Sequence, residues 1–202
     1  MSPLIAPVFF IVLAYSIILH EVMHGFVARL NGDPTAGQMG RLTLNPLPHV
    51  DWIGTVILPI ALVLFHAPFF LGWAKPVPYN PIYFRRVRLG TFLVAAAGPA
   101  VNLVLAAVFA ASLRIFKPHE PAATVLFYGL SLNVMLAIFN LLPVPPLDGS
   151  KMLAMLLPSG LRRAYLSFGR WGIVLLMLLL YQGALFQVLL PLYKKTLIFF
   201  LN

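Results

Sequence analysis

Two histidines and a glutamate stand at His20, Glu21 and His24, at the end of an almost wholly apolar run. On a helix, residues four apart share a face about 6 Å apart along the axis, so both imidazoles can reach one tetrahedral metal ion. Glu21 lies beside them but off their radius, which suits a base acting on water at a zinc ion. A catalytic zinc takes three protein ligands and keeps one position open. The chain has no cysteine, so the third ligand must be a carboxylate or another histidine.

Asp148 is the preferred third ligand. It follows three prolines in Leu141-Leu142-Pro143-Val144-Pro145-Pro146-Leu147-Asp148, so its carboxylate can be aimed independently of a helix axis. A lone aspartate at bilayer depth costs a few kcal/mol, which a metal would offset. The competing reading is a cap on the helix that begins at Gly149-Ser150-Lys151-Met152. The other histidines lack a partner at ligand spacing. His49 lies in a polar loop and reads as a surface residue. His66, in an apolar run, reads as a buried hydrogen-bonding group or part of a cavity wall. His119 reads as loop.

The elements that carry these residues belong in a membrane. Of the 202 residues, 61% are hydrophobic and 9% are charged, where soluble domains carry about 25%. In a soluble protein a net charge of +9 would suggest nucleic acid, but here the cations fall in short loops between apolar runs. The positive-inside rule and anionic lipid explain them more simply. The apolar N-terminus has no basic leader and continues into the histidine motif, so it reads as a retained helix rather than a signal peptide. Length suits one integral membrane domain over 1–202. Its core would cover about 4–150, followed by an amphipathic segment and a transmembrane helix in about 151–202.

Five stretches are candidates for spans of roughly 20 apolar residues: 4–28, 52–72, 90–115, 123–142 and 170–192. Between the first two, Gly40-Arg41-Leu42-Thr43-Leu44-Asn45 alternates like a short strand, and a β-hairpin over 31–51 is expected. In 72–81, Pro76, Pro78 and Pro81 rule out a regular helix and favour an extended run. Ala95, Gly98, Asn102 and Ala106 form a small-residue stripe, the usual surface for close helix packing in lipid. Asn133 and Asn140 are seven apart, and their shared face should point into the bundle. The expected fold is an all-α polytopic membrane protein, a bundle of about 4–6 transmembrane or re-entrant segments. A small β-hairpin or extended element should lie near the active site.

Three motifs resemble those of the site-2 protease family of intramembrane zinc metalloproteases. They are His20-Glu21-Val22-Met23-His24, Gly98-Pro99-Ala100-Val101-Asn102, and Asn140-Leu141-Leu142-Pro143-Val144-Pro145-Pro146-Leu147-Asp148-Gly149. The last is long and specific, and Gly72-Trp73-Ala74-Lys75-Pro76-Val77-Pro78 is similar to a stretch in compact prokaryotic members. The resemblance implies one Zn2+ on His20, His24 and Asp148, with Glu21 activating water and Asn102 and Asn140 helping to hold the substrate backbone. Many relatives carry a PDZ or CBS domain; this sequence shows neither. A prokaryotic plasma membrane is implied as the location.

One shared site constrains topology. His20 and His24 lie near the C-terminal end of their helix, roughly 6–12 Å from that face at 1.5 Å per residue. The helix before Asp148 must run towards the same face. Both conditions hold if 29–89 starts and finishes on one face, with 52–72 either re-entering or crossing and returning. That face would hold Arg29, Arg41, Lys75, Arg85, Arg86, Arg88, Lys151, Arg162, Arg163 and Arg170, against Arg114, Lys117, Lys194 and Lys195 opposite. The asymmetry places the site nearer the cytoplasm.

The expected function is hydrolysis of peptide bonds in or near transmembrane helices of membrane-protein substrates. An unwound substrate would pair with the 31–51 hairpin or the 72–81 run by strand addition. Partners are then a transmembrane substrate and the lipid bilayer, not nucleic acid. One rival is an inactive member that binds transmembrane segments, although Glu21 and all three ligands are intact. Another is a metal transporter, although its ligands should be strung along a path rather than converge.

Overall fold

The computed structural model describes residues 5–67, 69 and 72–202. Four helices are long and apolar enough to cross a membrane: α1 (Ile5–Leu30), α4 (Val87–Phe116), α5 (Ala122–Asn140) and α9 (Ala184–Leu201). Between them lie the short α2 (Thr35–Gln38), α3 (Leu58–Leu64), α6 (Asp148–Leu156), α7 (Ser159–Ser167) and α8 (Gly169–Tyr181). Among the described residues all regular structure is helical.

α4 sits at the centre because its small-residue stripe allows other helices close. Val94, Gly98, Asn102, Ala106 and Ala110 recur every four residues and are all buried. α1 answers with its own four-residue stripe of Ser16, His20, His24 and Ala28, also buried. On the other side, Leu130 and Val134 of α5 pack against Ala106 and Ala110. Close approach of small residues gives van der Waals contact that lipid cannot match. Large apolar side chains such as Phe10, Val104 and Val108 face outward, where a bilayer would receive them.

The segment between α1 and α4 begins and ends at one end of the bundle, because the Arg85 N–H donates to the Asn31 carbonyl at 3.3 Å. Its apolar part is a π-helical turn over Trp52–Ile57 continued by α3. Asp51 caps it, accepting the Gly54 N–H at 2.7 Å. At about 1.5 Å per residue, Trp52–Leu64 reaches roughly 20 Å, short of a hydrocarbon core of about 30 Å. The helical part Trp52–Leu64 is therefore shorter than a full span by itself. Residues 68, 70 and 71 of the 52–72 stretch lie outside the described residues.

Two expectations need revision. Over 31–51 there is no hairpin among the described residues: the chain makes α2, a series of bends and a 3-10 turn over Leu47–His49. The N–H groups of Gln38, Met39 and Arg41 go back to Pro34, Thr35 and Ala36, so they cannot enter a ladder. Pro46 and Pro48 then stop the alternating run. The 72–81 segment is extended down to Asn80 but forms no strand. The apolar run 170–192 is likewise two helices rather than one span. Gly183, at φ +73°, ends α8 and starts α9 in the left-handed region that glycine tolerates. α7 and the Trp171–Tyr181 part of α8 meet at 66°.

Candidate metal centre

α1 brings His20 and His24 to the α4 face, and α4 fixes both rings. The His24 Nδ1–H donates to the Val94 carbonyl at 2.7 Å, and Nδ1 of His20 meets Asn102 Oδ1 at 2.6 Å. Asn102 Nδ2 donates to the Ser16 carbonyl at 3.4 Å and to Asn133 Oδ1 at 2.9 Å. A backbone carbonyl can only accept, so the amide group faces Ser16 and the oxygen faces His20. The network closes through Asn133 Nδ2, which donates to Ser16 Oγ and the Gly129 carbonyl, each at 2.9 Å. A buried polar network is stable only when its members are satisfied, and the amide groups of this one are.

Gly98 makes room for the pair. A Cβ there would lie 2.5 Å from the His20 ring and 2.6 Å from that of His24. The Gly-x-x-x-Asn spacing therefore has a physical basis: one position clears space for the imidazoles, and the next on the stripe holds one of them.

Asp148 arrives from the other side. α5 ends at Asn140, and the proline-rich turn leads directly into α6, whose first residue is Asp148. Gly149 allows this turn to press against the Leu141 and Leu142 carbonyls, where a Cβ would clash with backbone. Leu147 stands at the N-cap position, and Asp148 makes no side-chain cap. Its Oδ2 instead lies 3.0 Å from His20 Nε2 and 3.1 Å from His24 Nε2. Its Oδ1 accepts from Lys151 Nζ at 3.0 Å.

These three atoms fit a cation. Each histidine spends its N–H at Nδ1 on an acceptor, so the neutral ring presents a lone pair at Nε2. Two lone pairs and a carboxylate oxygen then converge on one point and repel unless a positive centre joins them. Ligands about 2.0–2.1 Å from a tetrahedral zinc stand roughly 3.3 Å apart, close to what is seen. Ligand atoms of Glu21 and the two histidines lie within 4.8 Å of one another. Glu21 Oε2 accepts the Val77 N–H at 2.9 Å. A small cavity of about 70 Å³ opens among Glu21, His24, Asp148, Lys151, Pro76 and Val77, enough for water.

The remaining candidates separate clearly. Asn102 is fully buried behind His20 rather than on the cavity wall. Asn140 is half-buried, outside that wall, and donates to the Leu136 carbonyl at 2.9 Å. His49 is buried, not on the surface, with Nε2 2.9 Å from the Thr43 carbonyl. His66 is exposed in the turn after α3, and His119 is exposed in the α4–α5 loop. Neither Asn133 nor Lys151 was expected at the site. Asn133 is legible only as an inward-facing amide, and Lys151 only as a cation on the site's face near the start of a helix.

The chain resembles known proteins over most of its length. Peptidase family M50 matches residues 118–180, the stretch that holds Asn140 and Asp148. "Putative zinc metalloprotease YwhC" of Bacillus subtilis is 36% identical over 184 residues, covering 86% of this chain and 80% of the relative. Rip2 of Mycolicibacterium smegmatis, described in the same words, is 34% identical over 185 residues, covering 88% and 69%. MJ0611 of Methanocaldococcus jannaschii, also so described, is 33% identical over 136 residues, covering 67% and 63%. No solved structure matches. Likeness of this extent to YwhC, across most of both chains, establishes kinship: the chain belongs to peptidase family M50, the site-2 protease family.

Proposed function

We propose that this peptidase is an intramembrane zinc metalloprotease that hydrolyses peptide bonds in or near transmembrane helices of membrane-protein substrates. The observation that carries this reading is the convergence of His20 Nε2, His24 Nε2 and Asp148 Oδ2 beside the Glu21 carboxylate. His20, His24 and Asp148 would hold one zinc. When bound, zinc supplies Lewis acidity, polarising a carbonyl and making water acidic near neutral pH.

The chain's own residues supply the rest. Asn102 and the Val94 carbonyl keep the Nδ1 protons in place, so that each Nε2 lone pair is presented for coordination. Lys151 holds the far oxygen of Asp148 and leaves the near one directed at the histidines. Glu21 takes a proton from water in the small cavity and returns it to the leaving amine. Asn140, on the flank of the site, is assigned to the substrate backbone. Asn102, committed to His20, is assigned to the ligand instead.

A helical substrate hides its peptide bonds in its own hydrogen bonds and must unwind before attack. An apolar cavity of about 500 Å³, lined by Ile17, Ile18, Trp73, Phe139 and Leu189 among others, offers an apolar segment a seat beside the site. The cation asymmetry of the loops supports a site nearer the cytoplasmic face, and the family likeness supports a prokaryotic plasma membrane. The test is cleavage of a transmembrane reporter peptide in detergent micelles. The parent should cut it, Glu21→Gln should not, and 1,10-phenanthroline should abolish cutting until zinc is restored. Equal cleavage by parent and Glu21→Gln would overturn the reading.

A further inference from the structure

Lys75-Pro76-Val77-Pro78-Tyr79-Asn80 runs extended beside the metal cavity, to which Pro76, Val77 and Tyr79 contribute. Pro76 and Pro78 have no N–H, so Val77 carries the only backbone donor of that tripeptide. That donor goes to Oε2 of Glu21. The neighbouring inward-facing N–H groups are also used: Trp73 donates to the Gly54 carbonyl, and Lys75 to that of His49. Two prolines and these committed donors reduce what the strap can offer a substrate strand. The Val77 N–H is thereby aimed at the proposed base.

Two buried charges that the metal site does not use hold this strap at its ends. Arg41 Nη2 donates to the Lys75 carbonyl at 2.7 Å and the Pro76 carbonyl at 3.3 Å. Asp33, with no exposed surface, accepts the Asn80 N–H at 2.6 Å together with the N–H and hydroxyl of Thr35. Burying a charge is costly unless it is hydrogen-bonded, and each of these charges makes at least one such bond to the strap backbone. Between them the Val77 side chain is buried against Gly25, where a Cβ would lie 2.6 Å from Val77 Cγ1. Prolines prevent the strap from holding itself in a sheet, so side chains must hold it.

We propose that Arg41 and Asp33 are positioning residues for the reaction: they clamp the 75–80 strap so that the Val77 N–H fixes one oxygen of Glu21 and leaves the other to take the proton. The inference rests on Glu21 acting as the base. A carboxylate on a flexible stem loses much of its advantage when displaced, since misplacement of about 1 Å can cost 10²-fold in rate.

The absence of cysteine allows a test that does not depend on activity. Val77→Cys supplies a single buried thiol, and Lys75→Cys an exposed one as the comparison. In the Val77→Cys chain, adding Arg41→Met or Asp33→Ala should speed labelling by a water-soluble maleimide about tenfold or more, while Lys75→Cys labels at one rate throughout. Without the added thiol, the same two substitutions should keep the zinc and lower kcat on the reporter peptide about tenfold or more, with KM changed less than about threefold. Arg41→Lys and Asp33→Asn, which retain a donor and an acceptor, should recover most of the rate. Unchanged labelling, or zinc lost together with activity, would overturn the clamp. A parent chain without zinc would instead remove the role of Glu21, and the labelling would still report whether the strap is held.

Discussion

His20 Nδ1 and Asn102 Oδ1 stand 2.6 Å apart in a fully buried contact between α1 and α4. This contact makes Asn102 a partner of a proposed metal ligand, where the family resemblance implies a role on the substrate. The two assignments make opposite predictions. If Asn102 orients His20, Asn102→Ala should weaken zinc binding about 10–100-fold, measured by competition with a chelator. It should also destabilise the fold by about 1–3 kcal/mol, because Asn133 Oδ1 loses its donor. A substitution that left zinc affinity intact and raised only KM would return Asn102 to the substrate.

Asn140 provides the contrast. It lies off the metal cavity wall and bonds only one turn back along α5. Asn140→Ala should keep one zinc per chain and the parent melting temperature, while kcat/KM on the reporter peptide falls about tenfold or more. Zinc analysis beside the kinetics separates this from Asn102→Ala.

Gly98 tests the space around the rings. Gly98→Ala puts a methyl group 2.5–2.6 Å from both imidazoles, a separation that van der Waals contact does not allow. Zinc should be lost although α4 gains a better helix former. Retention of zinc at parent affinity would show that the histidines sit elsewhere.

Lys151 should matter through Asp148. Burial alone would lower its ammonium group, but the Asp148 carboxylate outweighs that and raises it above its ordinary range, so the pair stays charged at neutral pH. Lys151→Met should weaken zinc binding roughly tenfold, and Lys151→Arg should restore most of it. Equal affinities in the parent and Lys151→Met would make the contact incidental.

Much of the site was legible because its chemistry is local. His20, Glu21 and His24 lie within about one helical turn, and the absence of cysteine narrows the third ligand to a few acids or another histidine. The stripe through Gly98 and Asn102 was visible as spacing. Its purpose was not, since the His20 contact joins residues 82 apart in sequence. The hairpin failed for a different reason. Alternation in Leu42 and Leu44 predicts a strand only if a partner strand exists, and the neighbouring backbone instead closes helical turns around Thr35–Gln38. Likewise the composition of 170–192 says apolar but not straight, and one glycine at Gly183 divides it. The strap was read correctly as extended, but nothing in Pro76-Val77-Pro78 reveals that its single N–H meets Glu21.

The most direct measurement is zinc per chain in purified protein, compared across the parent, Glu21→Gln, His20→Ala and Asp148→Ala. About one zinc is expected in the parent and in Glu21→Gln, with loss in the other two, because Glu21 acts beside the ion while His20 and Asp148 bind it. A well-folded parent that takes up no zinc, even after reconstitution, would contradict the metal centre and the protease chemistry built on it.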